Sequence, residues 1–405
     1  MPSTASISGR LRAIGPALVL AAVVVGPGSI TLSTIAGGTY GYQLLWIPIA
    51  ATAFMITYTW MAARIGVVTG ETLFQATRNK YGERTAQIGG LFGFLTILAF
   101  QAGNNAGIGF ASAALFGGEP QLWAGVFTVA AAGFLWLPDL YEKIETLVKI
   151  VVGVMLVSFV GSLALVGVDF GQAVSGLVPA FPNRSAIFLG LGLAATNFSI
   201  AAAVYQTHLM AEKDWDVDQL TEEGFDSIIG IAILGLIVMV ILLTSAAVIY
   251  GTSKSAFSAQ GMATQLRPVA GSGAFYLFLT GFFFASLSSL VVNALIGATL
   301  LVDGFGYGSS MESRPVKLWT MVAMGIGLAV VLIAGESPVE LLRAAQALAI
   351  VAFPLLGFLV LSIARDEALM GEYANSLTVD IIGFLGYLAI IGIVLNYLRE
   401  VASFL

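Results

Sequence analysis

Long apolar segments, separated by charged residues or by Gly and Pro, constrain this chain more than any other feature. A helix needs about 20 apolar residues to cross a bilayer, and each segment is close to that length. The sequence therefore predicts an all-α integral membrane protein, a single transmembrane domain over residues 1–405. We expect eleven spans, at residues 13–36, 43–66, 87–116, 121–138, 142–167, 185–211, 225–250, 274–303, 316–335, 339–364 and 378–399.

The composition excludes several classes of function. The chain is 58% hydrophobic and only 10% charged, so few residues remain for a folded domain outside the bilayer. It has no cysteine and one histidine, which rules out thiol chemistry and a histidine-rich metal site. No basic stripe suits nucleic acid, and no grouping of nucleophile, base and oxyanion donors suggests an enzyme. We expect no cofactor, and the lipid bilayer is the one large partner that the sequence predicts.

The distribution of Lys and Arg predicts the orientation, because positive residues favour cytoplasmic loops. With the N-terminus inside, the cytoplasmic side holds twelve of the 17 Lys and Arg residues and the other side holds five. We therefore expect a multi-pass protein of the cell membrane with a cytoplasmic N-terminus and an external C-terminus.

Eleven spans suggest two repeats of five spans followed by one extra helix. A repeat with an odd number of spans ends on the opposite side of the membrane from where it began, so the second repeat must insert with inverted topology. The repeats are residues 13–167 and 185–364, and residues 378–399 form an extra helix. Span 1 is interrupted at Gly26, Pro27, Gly28 and Ser29, where Pro removes a helical hydrogen bond. Span 6 is interrupted by a polar run from Thr196 to Ser199 that contains no proline. Both spans are predicted to be broken mid-membrane.

Several separate segments carry a resemblance to a known family: Leu11–Pro16, Pro27–Gly28, Gly41–Trp46, Ala62–Gly70, Leu122–Gly125, Ala285–Ser289, Asp303–Phe305 and Leu369–Gly371. In these segments, and over nearly its whole length, the sequence resembles the natural-resistance-associated macrophage protein family, NRAMP, of metal-ion transporters. The resemblance implies a LeuT-type, amino-acid-transporter-like fold that works by alternating access. It also implies a substrate site between the broken spans 1 and 6.

The chain departs from the family at the positions that the resemblance assigns to the metal. Gly26 stands where the family has an Asp, Ser29 where it has an Asn, and Ala201 where it has a Met. The acidic pair on span 3, which the family associates with proton passage, falls on Gln101 and Asn104. The usual metal ligands and the proton path are therefore replaced by neutral residues.

Two hypotheses for the substrate follow. Backbone carbonyls and neutral side chains suit a hydrated divalent cation such as Mg²⁺ or Mn²⁺, with weak or no proton coupling. The alternative is a small neutral or zwitterionic organic solute, whose carboxylate would meet the exposed N–H groups of a half-helix. The substrate-binding candidates are Gly26, Pro27, Gly28, Ser29, Asn197, Ser199, Ala201 and Gln346, and the pore-lining or coupling candidates are Gln101, Asn104, Asn105 and His208.

The acidic residues of the spans lie near predicted helix ends, where an interfacial, solvated role is expected. They are Glu142, Glu145, Asp303, Glu340 and Asp380. His208 lies close to the cytoplasmic end of span 6, which favours a gate or an interfacial hydrogen bond over a role as a ligand.

Overall fold

The computed structural model describes residues 25–212, 217, 220–252, 259–334 and 353–404, and these residues form helices and connecting turns without strands. The helices are α1 (Pro27–Tyr40), α2 (Trp46–Thr69), α3 (Leu73–Tyr81), α4 (Glu83–Phe116), α5 (Pro120–Phe134), α6 (Leu140–Ala164), α7 (Phe170–Ser175), α8 (Arg184–Asn197), α9 (Ile200–Glu212), α10 (Leu220–Ile249), α11 (Ala259–Gly304), α12 (Arg314–Ala334), α13 (Phe353–Ala364), α14 (Glu367–Met370) and α15 (Leu377–Phe404). A 3-10 turn, Gly371–Tyr373, links α14 to α15.

Seven segments within the described residues are long and apolar enough to cross a membrane, and all seven coincide with predicted spans. One of them, Arg184–Met210, is made of the two helices α8 and α9. Shorter apolar helices occupy Phe353–Ala364 and Leu377–Gly392. The count of eleven spans stays a prediction, because the start of span 1 and the first part of span 339–364 lie outside the described residues.

The long helices α4 and α11 pack against each other at the centre of the molecule. A Cβ atom on Gly90 of α4 would lie 2.6 Å from the carbonyl oxygen of Leu300 and 2.8 Å from Cα of Gly304, both on α11. Only glycine permits this backbone separation, which is how membrane helices use small residues. The close approach brings the polar residues in the middle of both helices together.

Helix α1 begins at Pro27, at the interruption predicted for span 1. Gly26 caps the helix in an extended conformation, and its carbonyl oxygen accepts the first helical hydrogen bond from the N–H of Ile30 at 3.2 Å. Pro suits the first helical position because its fixed φ is helical and no partner exists there for an N–H. A Cβ atom on Gly107 of α4 would lie only 2.4 Å from Cγ of Pro27, so α4 must carry glycine where the helix start rests on it.

The break predicted in span 6 is confirmed. Helix α8 ends at Asn197, Phe198 has the non-helical φ and ψ of −106° and 76°, and α9 begins at Ile200. Thr196 Oγ1 and Asn197 Nδ2 both donate to the carbonyl oxygen of Leu193, at 3.0 and 2.7 Å. Such local bonds from Thr and Asn compete with the helical ladder and explain an ending that needs no proline.

Candidate substrate-binding site

The start of α1 and the end of α8 meet α4 and α11 at a cavity of about 30 Å³. A cavity of this size holds one or two water molecules. Its polar lining consists of Gly26, Gly28, Ser29, Asn104, Thr196, Ser199 and Asn293, and its apolar lining consists of Ile97, Phe100 and Ala195. The cavity therefore lies between the two interrupted spans, where the sequence predicted the substrate.

Two helix ends of opposite polarity face this cavity. Gly28 and Ser29 belong to the first turn of α1, at the positive end of the helix dipole. Ala195 and Thr196 belong to the last turn of α8, whose carbonyl oxygens carry the negative end. The backbone can therefore offer carbonyl oxygens to a cation from α8 and N–H groups to an electron-rich atom from α1.

The side chain of Asn104 is held so that its oxygen faces the cavity. Its Nδ2 donates to the carbonyl oxygen of Ser289 at 3.2 Å and to Oε1 of Gln101 at 3.4 Å. A backbone carbonyl can only accept, so the amide nitrogen must point to α11. The oxygen lies 3.4 Å from the position that a Cβ atom on Gly26 would take, and Gly26 lines the cavity.

The amides behind Asn104 are fixed in the same way. Gln101 Nε2 donates to the carbonyl oxygen of Leu290 at 3.0 Å and to Oδ1 of Asn105 at 3.4 Å. Asn105 Nδ2 donates in turn to the carbonyl oxygen of Met324 at 3.3 Å and to Oγ1 of Thr128 at 2.7 Å. Three buried amides thus form one chain that points its nitrogens at backbone acceptors and leaves an oxygen at the cavity end.

Most of the remaining candidates are placed near the cavity rather than on it. Pro27 rests on α4, and Asn197 directs its nitrogen back into α8. Ala201 is fully buried in the first turn of α9 and does not line the cavity. Gln346 lies outside the described residues.

His208 stands apart from the cavity, in a buried contact with the carboxylate of Asp303. Its Nε2 lies 2.9 Å from Oδ2 of Asp303, and the two side chains are each 2% exposed. Thr72 Oγ1 donates to the same carboxylate oxygen at 2.6 Å, and the ring of Tyr205 stacks on the imidazole. The expectation that Asp303 is solvated was wrong, because Thr72 and the start of α3 cover the end of α11.

Sequence reasoning named neither Thr196 nor Asn293 as a candidate site residue, although both line the cavity. Thr196 was placed in the interruption of span 6, at the edge of the predicted site between residues 26–31 and 196–203. Asn293 follows Ser286 and Ser289 at helical spacing, which places all three on one face of α11. This spacing was the signal in the sequence that could have identified Asn293. It points to the cavity only once this face of α11 is known to pack against α4.

The cavity holds no ionisable side chain among the residues described around it. Within the same part of the chain, no group of three His, Asp or Glu residues is placed to hold a metal ion. Whatever binds here meets amide, hydroxyl and backbone oxygens and a few N–H groups.

Comparison with known proteins agrees with this architecture. Residues 17–400 match the family model described as natural resistance-associated macrophage protein-like. This chain belongs to the NRAMP family. The divalent metal cation transporter MntH of Chromohalobacter salexigens is 27% identical over 382 residues, covering 91% of this chain and 86% of that protein. The MntH of Yersinia pestis is 26% identical over 401 residues, covering 95% and 94%.

Solved structures place this NRAMP protein in the LeuT-type fold, an all-α arrangement of inverted repeats. The manganese transporter of Eremococcus coleocola superposes with a TM-score of 0.84 at 20% identity, over 100% of this chain and 89% of that one. MhsT, solved in complex with L-phenylalanine, superposes with a TM-score of 0.62 at 15% identity, over 95% and 98%. The protein is accordingly a multi-pass membrane transporter and not an enzyme.

Proposed function

We propose that this NRAMP protein moves a divalent cation, Mn²⁺ or Mg²⁺, that keeps much of its hydration shell and crosses with weak or no proton coupling. The observation that carries the proposal is the orientation of Asn104, whose amide nitrogen donates to the carbonyl oxygen of Ser289 on α11 and whose oxygen lies beside Gly26 of the cavity lining. An amide oxygen attracts a cation. Curated relatives over most of the chain are named as divalent metal cation transporters.

Retention of water follows from the lack of charge in the described lining. Mg²⁺ gives up water reluctantly and is usually bound through few direct ligands. A cavity that offers only neutral oxygens stabilises a bare dication poorly, because nothing offsets the loss of its hydration. Binding of a partly hydrated ion is correspondingly expected to be weak.

The amide chain supports weak proton coupling. Amides do not titrate near neutral pH, and those of Gln101, Asn104 and Asn105 are each fixed by a backbone acceptor. A proton has no base to bind on this route. Movement of the cation should therefore depend on its own gradient.

An organic solute is the weaker candidate. The first turn of α1 offers N–H groups to a carboxylate. However, no Lys or Arg belongs to its described lining, so no side-chain charge there would offset the cost of burying a carboxylate. The negative end of α8 further disfavours an anion.

Alternating access would use the breaks in spans 1 and 6. We propose residues 13–167 and 185–364 as the two repeats and residues 378–399 as the extra helix. The charge distribution supports a cytoplasmic N-terminus and an external C-terminus. In this arrangement the half-helices α1 and α9 lie on opposite sides of the cavity and can open in turn.

Reconstituted protein tests the proposal. Proteoliposomes with an internal divalent-sensitive dye should show influx of Mn²⁺ and Mg²⁺ at millimolar concentration, without acidification reported by a pH-sensitive dye. Asn104→Ala should reduce the influx. Thr96→Val is the matched control, since Thr96 on the same helix donates only to the carbonyl oxygen of Phe92 and does not line the cavity. No influx of either ion would refute the divalent cargo, and strong acidification would refute the absence of coupling.

A further inference from the structure

Asn293 on α11 is a buried polar side chain of the cavity lining that the proposed site does not yet use. It lines the cavity and is only 4% exposed. Its Oδ1 has no hydrogen-bond partner among the residues that the structure describes. A buried acceptor left without a partner destabilises the fold, so some compensating role is expected at this position.

The neighbouring hydroxyl groups of α11 show how polar residues are otherwise satisfied on this helix. Ser286 Oγ donates to the carbonyl oxygen of Phe282 at 2.8 Å, and Thr299 Oγ1 donates to that of Leu295 at 2.9 Å. These residues complete their bonding within their own helix. Asn293 instead keeps an amide oxygen at the cavity wall.

Two asparagines thus line one small cavity, Asn104 on α4 and Asn293 on α11, and the Oδ1 of Asn293 has no partner among the described residues. Oxygen ligands are those that Mg²⁺ and other hard cations prefer, and an amide oxygen also accepts from a coordinated water molecule. A cation would satisfy the acceptor of Asn293, whereas an anion would be repelled by it.

We propose that Asn293 contacts the transported cation, directly or through one of its waters, and helps to select hard cations. This assignment rests on the proposed function for the identity of the cargo. It adds a ligand from span 8 to a site that spans 1 and 6 otherwise frame. A second amide dipole then stabilises the cation in a cavity whose described lining has no negatively charged side chain.

Calorimetry on the purified full chain tests this assignment with Mn²⁺ as the probe. Asn293→Ala should weaken binding by about tenfold, the equivalent of one lost oxygen contact. Asn293→Asp should tighten binding by at least about tenfold, because it places a carboxylate at the cavity. Thr299→Val, which removes a buried polar group of the same helix away from the cavity, should leave binding unchanged. Equal affinities for all three variants would overturn the assignment.

The Asp substitution also separates this assignment from the proposed function. If the unmodified protein binds no divalent cation but Asn293→Asp does, the position of Asn293 at the cavity stands and the natural cargo is not a metal. If Asn293→Asp binds no more Mn²⁺ than the unmodified protein, the assignment is wrong whatever the natural cargo is.

A second measurement covers the case in which the Asp variant fails to fold. The natural chain has no cysteine, so Asn293→Cys introduces a single thiol. A small water-soluble thiol reagent should modify it, and Mn²⁺ should slow the reaction. Thr299→Cys is the matched control and should stay unmodified. An Asn293→Cys thiol as unreactive as this control would contradict the assignment.

Discussion

Restoring a carboxylate at Gly26 should convert a weak cation site into a tight one. The backbone tolerates a side chain there, because Gly26 has a φ of −105° that any residue can adopt. A Cβ atom would lie 2.9 Å from Oγ of Ser289, so the Ser289 hydroxyl must move or be removed. The variant Gly26→Asp with Ser289→Ala avoids this clash.

The expected gain comes from charge. A carboxylate about 4 Å from a dication gains roughly 8 kcal/mol at an effective dielectric constant of about 20. Desolvation of the carboxylate in a confined site removes several kcal/mol of that gain. A net gain of about 3 kcal/mol corresponds to an affinity for Mn²⁺ that is tighter by roughly a hundredfold.

Calorimetry with Mn²⁺ at neutral pH measures this gain. The matched control is Gly26→Asn with Ser289→Ala, which has the same shape without the charge. The ratio of the two dissociation constants isolates the carboxylate. A ratio near one would refute the reasoning, and so would tight binding by the unmodified protein, because either result would mean that the cation does not bind at this neutral cavity.

Three further predictions concern stability. Asp303→Ala should lower the free energy of unfolding by about 1–3 kcal/mol, because the buried His208 ring and the Thr72 hydroxyl lose the carboxylate that they contact. Thermal unfolding checks this, and a loss no greater than that of Asp366→Asn would contradict it. Gly107→Ala should lower the free energy of unfolding by about 1–3 kcal/mol, since the new methyl group would lie 2.4 Å from the ring of Pro27. An unchanged unfolding temperature would show that the start of α1 does not pack against Gly107. The hydrogen bond from Lys80 lowers the pKa of the Asp366 carboxyl below its usual 3.8. The ionised carboxylate therefore stabilises the fold above pH 3.8, and this stabilisation is lost as the pH falls through the lowered pKa. Between about pH 5 and 3 the unfolding temperature should fall less for Asp366→Asn than for the unmodified protein, and the same fall for both proteins would refute the pairing.

The spans and their breaks could be predicted because the bilayer leaves the chain few choices. Backbone groups in hydrocarbon must bond internally, so apolar segments of span length become helices. Non-helical backbone is tolerated there only where protein or water surrounds it. The Gly-Pro-Gly sequence at Gly26 and the polar run ending at Ser199 therefore indicated a break directly, and the described helices begin or end at both.

The directions of the amides could not be predicted in the same way. A sequence identifies Asn104 as polar and mid-span, but a neutral amide can present either an oxygen or a nitrogen. The choice is made by the carbonyl oxygen of Ser289, 185 residues further along the chain. The sign of the charge that the cavity prefers thus depends on how α4 and α11 pack, which a list of spans does not contain.

Asp303 shows the same dependence for a charged residue. A carboxylate at the end of a membrane helix is normally solvated, and the sequence placed Asp303 at such an end. The short helix α3 lies outside every predicted span, yet Thr72 at its start bonds both to the helix itself and to the Asp303 carboxylate. The motif Thr72-x-x-Gln75 marks the start of α3 in the sequence, but nothing in it indicates that this start covers α11. In sequence alone, an acid that is buried against a distant helix cap and a distant histidine looks the same as one that faces water.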